Sequence, residues 1–170
     1  GSWRRVAGGG GGAGWWGGVG GSRSGFGRTG EWFGFQHAGV TPDVGTMAKA
    51  LGNGFPVGAT WAKRDIAAVF QPGDHGSTYS GTALATAVVS AVIDEMRSID
   101  APGLAAKRGE YLTARLDALQ GIASVRGRGV LLAAELTDGR DAKVVYAELL
   151  SRGLVTDAVT ATSLGFGPPA

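Results

Sequence analysis

The residue best placed to do chemistry is Lys49, within Thr46 to Ala59, which reads TMAKALGNGFPVGA. Ala48-Lys49-Ala50-Leu51 has room for at most one helical turn. Gly52 and Gly54 are expected to supply backbone freedom at φ > 0, and Pro56 stops any regular helix. Apolar neighbours on so short an element would desolvate the amine. Desolvation lowers a lysine pKa from its ordinary value of about 10.4 and favours the neutral, nucleophilic form. Such an amine forms Schiff bases with carbonyl compounds; the alternative on these residues alone is a surface lysine in a turn. A second candidate is His75-Gly76-Ser77-Thr78-Tyr79-Ser80-Gly81. Hydroxyl side chains flanked by glycine can hold a phosphate through O–H and backbone N–H groups. Taken by itself, the same stretch reads as the N-cap of a helix expected over Thr82 to Met96.

Two longer strings surround these candidates: GRTGEWFGFQHAGVTPDVGTMAK (Gly27 to Lys49) and PGDHGSTYSGTALATAVV (Pro72 to Val89). Gly-Arg-Thr-Gly, then Pro-Asp, then Ala-Lys-x-Leu-Gly-x-Gly, then Gly-Ser-Thr before a long helix resembles the class III, pyridoxal-phosphate-dependent aminotransferases, acetylornithine or succinyldiaminopimelate aminotransferases most of all. Order and spacing agree from about Gly25 to Arg128, and more loosely to Pro169. The resemblance implies an α/β chain of the pyridoxal-phosphate-dependent transferase fold type I. It would comprise part of the large domain and a C-terminal small domain truncated at its end. It implies that Lys49 forms the Schiff base with pyridoxal 5'-phosphate. Thr78, with Ser77 beside it, would reach the cofactor phosphate of a partner subunit, as in the homodimers of that family. The reaction implied moves an amino group from an N-acetylornithine-type donor to 2-oxoglutarate in cytoplasmic arginine or lysine biosynthesis.

Several positions depart from that pattern. Ser80, Thr82 and Ala83 replace the residues usual after Gly-Ser-Thr. Counting back from Gly25, the acid that should face the pyridine nitrogen is Gly20, the following Glu is Gly21, and the Gln is Arg23. Near the end, ATSLGFGPPA resembles Leu-Arg-Leu-x-Pro-Pro, with Gly165 where the arginine for the substrate carboxylate should stand. Asp to Gly, Glu to Gly and Gln to Arg are each single-base changes to G, so the span before Gly25 reads as a degraded or misread copy of the family strand, Trp15-Trp16-Gly17-Gly18-Val19. The expectation is an impaired or inactive aminotransferase, and the alternative is a non-catalytic remnant or binding fragment.

The elements that must position these residues follow in order. Pro42-Asp43-Val44 opens a short strand ahead of the lysine turn, and Val57 to Ala62 is a second strand after it. Trp32, Phe33 and Phe35 pack an irregular segment. A short helix runs from Lys63 to Phe70, followed by a loop over Gln71 to Asp74. Pro102 to Leu119 has leucines at helical spacing and stops at Gly121. Val125 to Glu135 reads as one strand, with Arg126 and Arg128 at the surface. Asp141 to Ser151 is a further helix, and Arg152-Gly153-Leu154 turns it into a strand. The organisation expected is a glycine-rich, poorly ordered segment over 1–24, the end of the cofactor-binding domain over 25–98, and a small domain over 99–170.

Composition excludes other classes. Eleven of the first 21 residues are glycine, which leaves too few apolar side chains for an independent core there. Three of the five tryptophans also lie in that segment, but Arg4, Arg5 and Arg23 are too few for an arm that tracks nucleic-acid phosphates. The net charge of the 170 residues is only +2, so no nucleic-acid partner is expected. Gly25-Phe26-Gly27-Arg28-Thr29-Gly30 matches G-x-G-x-x-G but lacks the strand, helix and distant acid of a dinucleotide site. Cysteine is absent, and His37 has no second ligand at helical spacing, so no metal is expected. No apolar run approaches the length of a membrane span.

Overall fold

The computed structural model describes residues 3–7 and 15–168. Part of the expected disorder over 1–24 falls on residues 1–2 and 8–14, outside the described residues. The chain divides into two units, residues 1–26 with 31–99 and residues 27–30 with 100–170.

The first unit is built on a four-stranded sheet of β1 (Trp3–Ala7), β2 (Trp15–Gly20), β3 (Val44–Ala48) and β4 (Gly58–Ala62), paired in that order. β2 and β3 are parallel; the outer pairs are antiparallel. β3 and β4 lie within the two runs expected on either side of the lysine turn, and β2 covers the expected strand Trp15 to Val19 and adds Gly20. Gly45 stands opposite Trp61, whose indole fills the space a Cβ would need, at 2.4 Å. Asp43 anchors the start of β3: its carboxylate accepts the Gly17 N–H at 2.7 Å and pairs with Lys63 at 2.8 Å. Those contacts, Lys63 first, hold the Asp43 carboxyl below the usual range and raise the Lys63 ammonium. Lys63 is therefore an ion-paired residue just ahead of the helix rather than a merely solvated helical lysine.

Helix α1 (Arg64–Ala67) is shorter than expected, and α2 (Ala83–Ser98) begins where the Thr82 hydroxyl accepts the Ala85 N–H at 3.3 Å. Phe33 stacks on Phe35 at 5.2 Å and meets Phe26 edge-on at 5.7 Å, so the aromatic segment packs as anticipated.

The second unit holds α3 (Ala101–Asp117), β5 (Ile122–Arg128), β6 (Leu131–Leu136), α4 (Ala142–Ser151), β7 (Asp157–Ala158) and β8 (Ser163–Phe166). Its sheet runs β5-β6-β8-β7, antiparallel throughout. Leu136, Ala142 and Leu164 centre the core, with Ile122, Val145 and Phe166 against it. The single strand expected over Val125 to Glu135 is in fact the hairpin β5–β6. Arg128 pairs with Leu131, leaving a two-residue turn at Gly129-Val130. Gly129 has φ 52°, and a Cβ there would lie 2.5 Å from the Arg28 carbonyl oxygen, which accepts the Val130 N–H at 3.0 Å. That close backbone contact seats residues 27–30 on the hairpin tip. The strand expected to follow Leu154 directly is only β7, two residues long and starting at Asp157.

Candidate active site

Lys49 stands where β3 ends. Ala48 is extended at φ −163°, and Lys49 switches to φ 58°, a left-handed conformation uncommon outside glycine. A single 3-10 turn, Lys49–Leu51, follows, so the limit of one turn holds. The Gly52 and Asn53 N–H groups both donate to the Lys49 carbonyl at 3.0 Å, which fixes the reversal. Non-glycine residues in this conformation cost roughly 1–3 kcal/mol and concentrate at functional sites.

Two expectations about the turn are corrected. Gly52 has φ −107° and needs no left-handed freedom; it is required for space, since a Cβ would lie 2.3 Å from the Phe55 carbonyl oxygen and 2.6 Å from Val57 Cγ1. The positive φ angles fall on Asn53 (44°) and Gly54 (109°). The apolar neighbours also do not cover the lysine. Leu51 is buried at 3 %, while Lys49 itself is exposed.

Gly20 ends β2 in register with Thr46 of β3, three residues before Lys49. A Cβ at Gly20 would meet only the Thr46 hydroxyl, at 3.9 Å. The position is open to a side chain and offers no acid.

Ser77 and Thr78 lie on exposed turns, and every residue from Ala67 to Leu84 is exposed. The Ser80 hydroxyl donates to the Ser77 carbonyl at 3.5 Å. The helix cap is Thr82, which leaves the Ser77 and Thr78 hydroxyls outside the cap of α2. Neither lines the cavity of about 790 Å³ between α2 and β3–β4, nor does Lys49.

In the second unit, Gly165 lies on β8 opposite Ala133 of β6 and Asp157 of β7. A Cβ there would lie 2.5 Å from Val159 Cγ2, so the place of the missing arginine is already filled. Arg126 is at the surface as expected, and its guanidinium pairs with Glu135 at 3.0 Å and donates to the Ser163 hydroxyl at 3.0 Å, a network sequence reasoning did not find. Glu135 also accepts from Thr162 and, at 2.7 Å, from Ser163. These donors, the hydroxyls foremost, lower its pKa from 4.5 to about 2. The available signal was the strand register, which sequence could not provide while β5 and β6 were one strand.

An aldehyde cofactor with a phosphate tail needs an amine, phosphate donors and, for a pyridine ring, an acid at the nitrogen. Lys49 fits the first and the exposed Ser77 and Thr78 hydroxyls fit the second. Gly20 supplies nothing for the third.

The class-III aminotransferase family profile matches residues 23–170. The acetylornithine aminotransferase of Caldanaerobacter subterraneus subsp. tengcongensis is 41% identical over 151 residues, covering 86% of this chain and 38% of that protein. The ornithine aminotransferase of an Exiguobacterium species is 37% identical, with 86% of this chain and 37% of its own length covered. A solved Toxoplasma gondii ornithine aminotransferase, with PLP at partial occupancy in its active site, superimposes with a TM-score of 0.81 at 29% identity, over 89% of this chain and 37% of that one. The chain thus spans under two-fifths of the length of these relatives.

Proposed function

This chain belongs to the class-III aminotransferases, which depend on pyridoxal phosphate, and from that premise we propose that it derives from an enzyme passing the amino group of an N-acetylornithine-type donor to 2-oxoglutarate, as in arginine biosynthesis, and that as written it is impaired. The observation that carries the reading is Lys49, held left-handed at the end of a strand by two hydrogen bonds to its carbonyl and projecting an exposed amine.

When bound, pyridoxal phosphate supplies an electron sink that makes the substrate Cα–H acidic. Lys49 would hold the cofactor covalently and, once released, carry the proton from substrate Cα as general base and return it as general acid. Thr78 and Ser77 would donate hydroxyl hydrogen bonds to the phosphate. Their place on a wholly exposed stretch suits a phosphate bound in a second subunit of a homodimer.

The impairment follows from two glycines. An acid at position 20 would hold the ring nitrogen protonated through a charge-assisted hydrogen bond of roughly 1.5–3 kcal/mol. An arginine at position 165 would anchor the substrate carboxylate, and losing one partner of such a pair costs about 2–5 kcal/mol. Together these amount to about 4–8 kcal/mol, a thousand- to a million-fold in rate.

The test follows the cofactor absorbance of the pyridoxal-phosphate-loaded chain after adding N-acetylornithine, then 2-oxoglutarate. Against an ordinary turnover of about 10 s⁻¹, the expected rate is on the order of 10⁻² to 10⁻⁵ s⁻¹. No conversion over a day would remove the residual activity proposed here and leave the chain a non-catalytic remnant. Turnover within tenfold of the ordinary value would remove the impairment.

A further inference from the structure

Burial singles out one cation in the second unit. Among the residues whose burial is described, every lysine and every arginine but Arg28 is exposed; Arg28 is half-buried. A charge taken partly out of water calls for a counter-charge. Several of the exposed cations have one: Lys63 pairs with Asp43, Arg97 with Asp94, Arg126 with Glu135 and Arg152 with Glu148. Among the described residues no carboxylate pairs with Arg28. Its guanidinium donates from Nη2 to the Gly167 carbonyl at 2.8 Å. A guanidinium carries five N–H donors in a flat fork, so most of the fork remains for a ligand.

The fork is also held in place. Gly27 and Gly30 bracket Arg28 with φ 77° and 92°, and the Gly30 N–H donates to the Gly27 carbonyl at 3.0 Å. The Arg28 carbonyl accepts the Val130 N–H from the hairpin tip at 3.0 Å. At the far end, a Cβ on Gly167 would lie 2.5 Å from Nη2, so the bare glycine lets the guanidinium lie against the chain just past β8. A donor fixed before binding loses less freedom on binding. Gly167 follows Gly165 by two residues, the spacing at which strand side chains share a face. Position 165 itself has no side chain, and Val159 fills the space above it. On its other flank the Arg126 guanidinium, bonded to Ser163, is neutralised by Glu135. Of these two guanidiniums, Arg28 is the one without a counter-charge.

We propose that Arg28 binds a substrate carboxylate in place of the arginine absent from position 165. The proposal rests on the aminotransferase reading and deepens it, since N-acetylornithine and 2-oxoglutarate both carry carboxylates. An ion pair open to water on one side is screened, so Arg28 lessens the loss at position 165 without removing it.

The test needs no catalysis. Glutarate, a dicarboxylate with no keto group to react, is titrated into the isotope-labelled full chain with no cofactor added. Nuclear magnetic resonance follows the arginine Nε–H signals and the backbone amides of residues 27–30. The Arg28 Nε–H signal, identified by its loss in Arg28→Lys, should shift and saturate at millimolar glutarate, and chloride at the same concentration should barely move it. Two variants should each weaken binding at least about fivefold, read from the backbone amides. Arg28→Lys keeps the charge but loses the fork. Gly167→Ala keeps the arginine but displaces its guanidinium, and stands as the test should Arg28→Lys fail to fold. Arg128→Ala, at an exposed position on β5, should leave binding unchanged. No saturable shift, a shift reproduced by chloride, or an affinity unchanged in Gly167→Ala would each overturn the proposal. Glutarate binding that follows these expectations in a chain without amino transfer would keep the site and count against the activity alone.

Discussion

A Cβ at Gly20 meets only the Thr46 hydroxyl at 3.9 Å, whereas one at Gly165 meets Val159 Cγ2 at 2.5 Å. The two departures from the family pattern are therefore unequal in what repair they permit. Gly20→Asp should fold with stability within about 1 kcal/mol of the parent and raise the slow amino-transfer rate about 10- to 100-fold, the worth of one charge-assisted hydrogen bond. Gly165→Arg should lose about 1–3 kcal/mol to overpacking and gain no rate unless Val159→Ala opens the space. Urea midpoints and single-turnover rates of the three variants check both statements. Glu135 supports a pH prediction. Its hydrogen bonds favour the carboxylate in the folded state, so the stability it contributes is present above pH 4.5 and is lost as pH falls toward about 2. Glu135→Gln should flatten the acid limb of the unfolding midpoint between those values and leave the limb above pH 5 unchanged. An acid limb identical to the parent's would show that the Thr162, Ser163 and Arg126 contacts do not hold the ionised form.

Among the elements, the lysine turn was the most legible. Strand, single turn, glycines and proline are each dictated by local residue chemistry, and β3, the 3-10 turn and β4 match. What local chemistry could not reveal was the reason for each glycine. Gly52 is excluded from bearing a side chain by Phe55 and Val57, a contact made only once the chain has reversed. Gly54, with φ 109° and open space around it, is there for its backbone conformation. Gly52→Ala should accordingly cost 2 kcal/mol or more on the order of a core overpacking, and Gly54→Ala about 1 kcal/mol from its positive φ. Chemical denaturation of the pair checks the order; a larger loss for Gly54→Ala would reverse the assignment. The β5–β6 hairpin was not legible because Arg128-Gly129-Val130 lacks the Asn-Gly or Asp-Gly signature of a two-residue turn. Its turn is set instead by the Arg28 backbone, about a hundred residues earlier in the chain.

At the scale of the molecule, the family was legible because several motifs keep their order from Gly27 to Val89, and the profile match and relatives bear that out. The membership of residues 27–30 in the second unit was not legible, since long-range contacts carry it, among them the Val130 N–H to the Arg28 carbonyl and the Arg28 guanidinium to the Gly167 carbonyl at 2.8 Å, rather than any local pattern. The exposure of Lys49 matches the surface turn that its residues alone offered as the alternative, not the desolvated amine. An apolar neighbour desolvates a lysine only if it packs over the amine, and Leu51 turns inward instead.

The central claim is that Lys49 is the cofactor lysine. The chain has three competitors: Lys63, ion-paired to Asp43 at 2.8 Å, and Lys107 and Lys143, exposed on α3 and α4. Borohydride reduction in the presence of pyridoxal phosphate, followed by peptide mapping, separates them. The account predicts labelling at Lys49 at least fivefold above each of the others, with Lys63 lowest because its ammonium is held protonated. Equal labelling at all four lysines would contradict it.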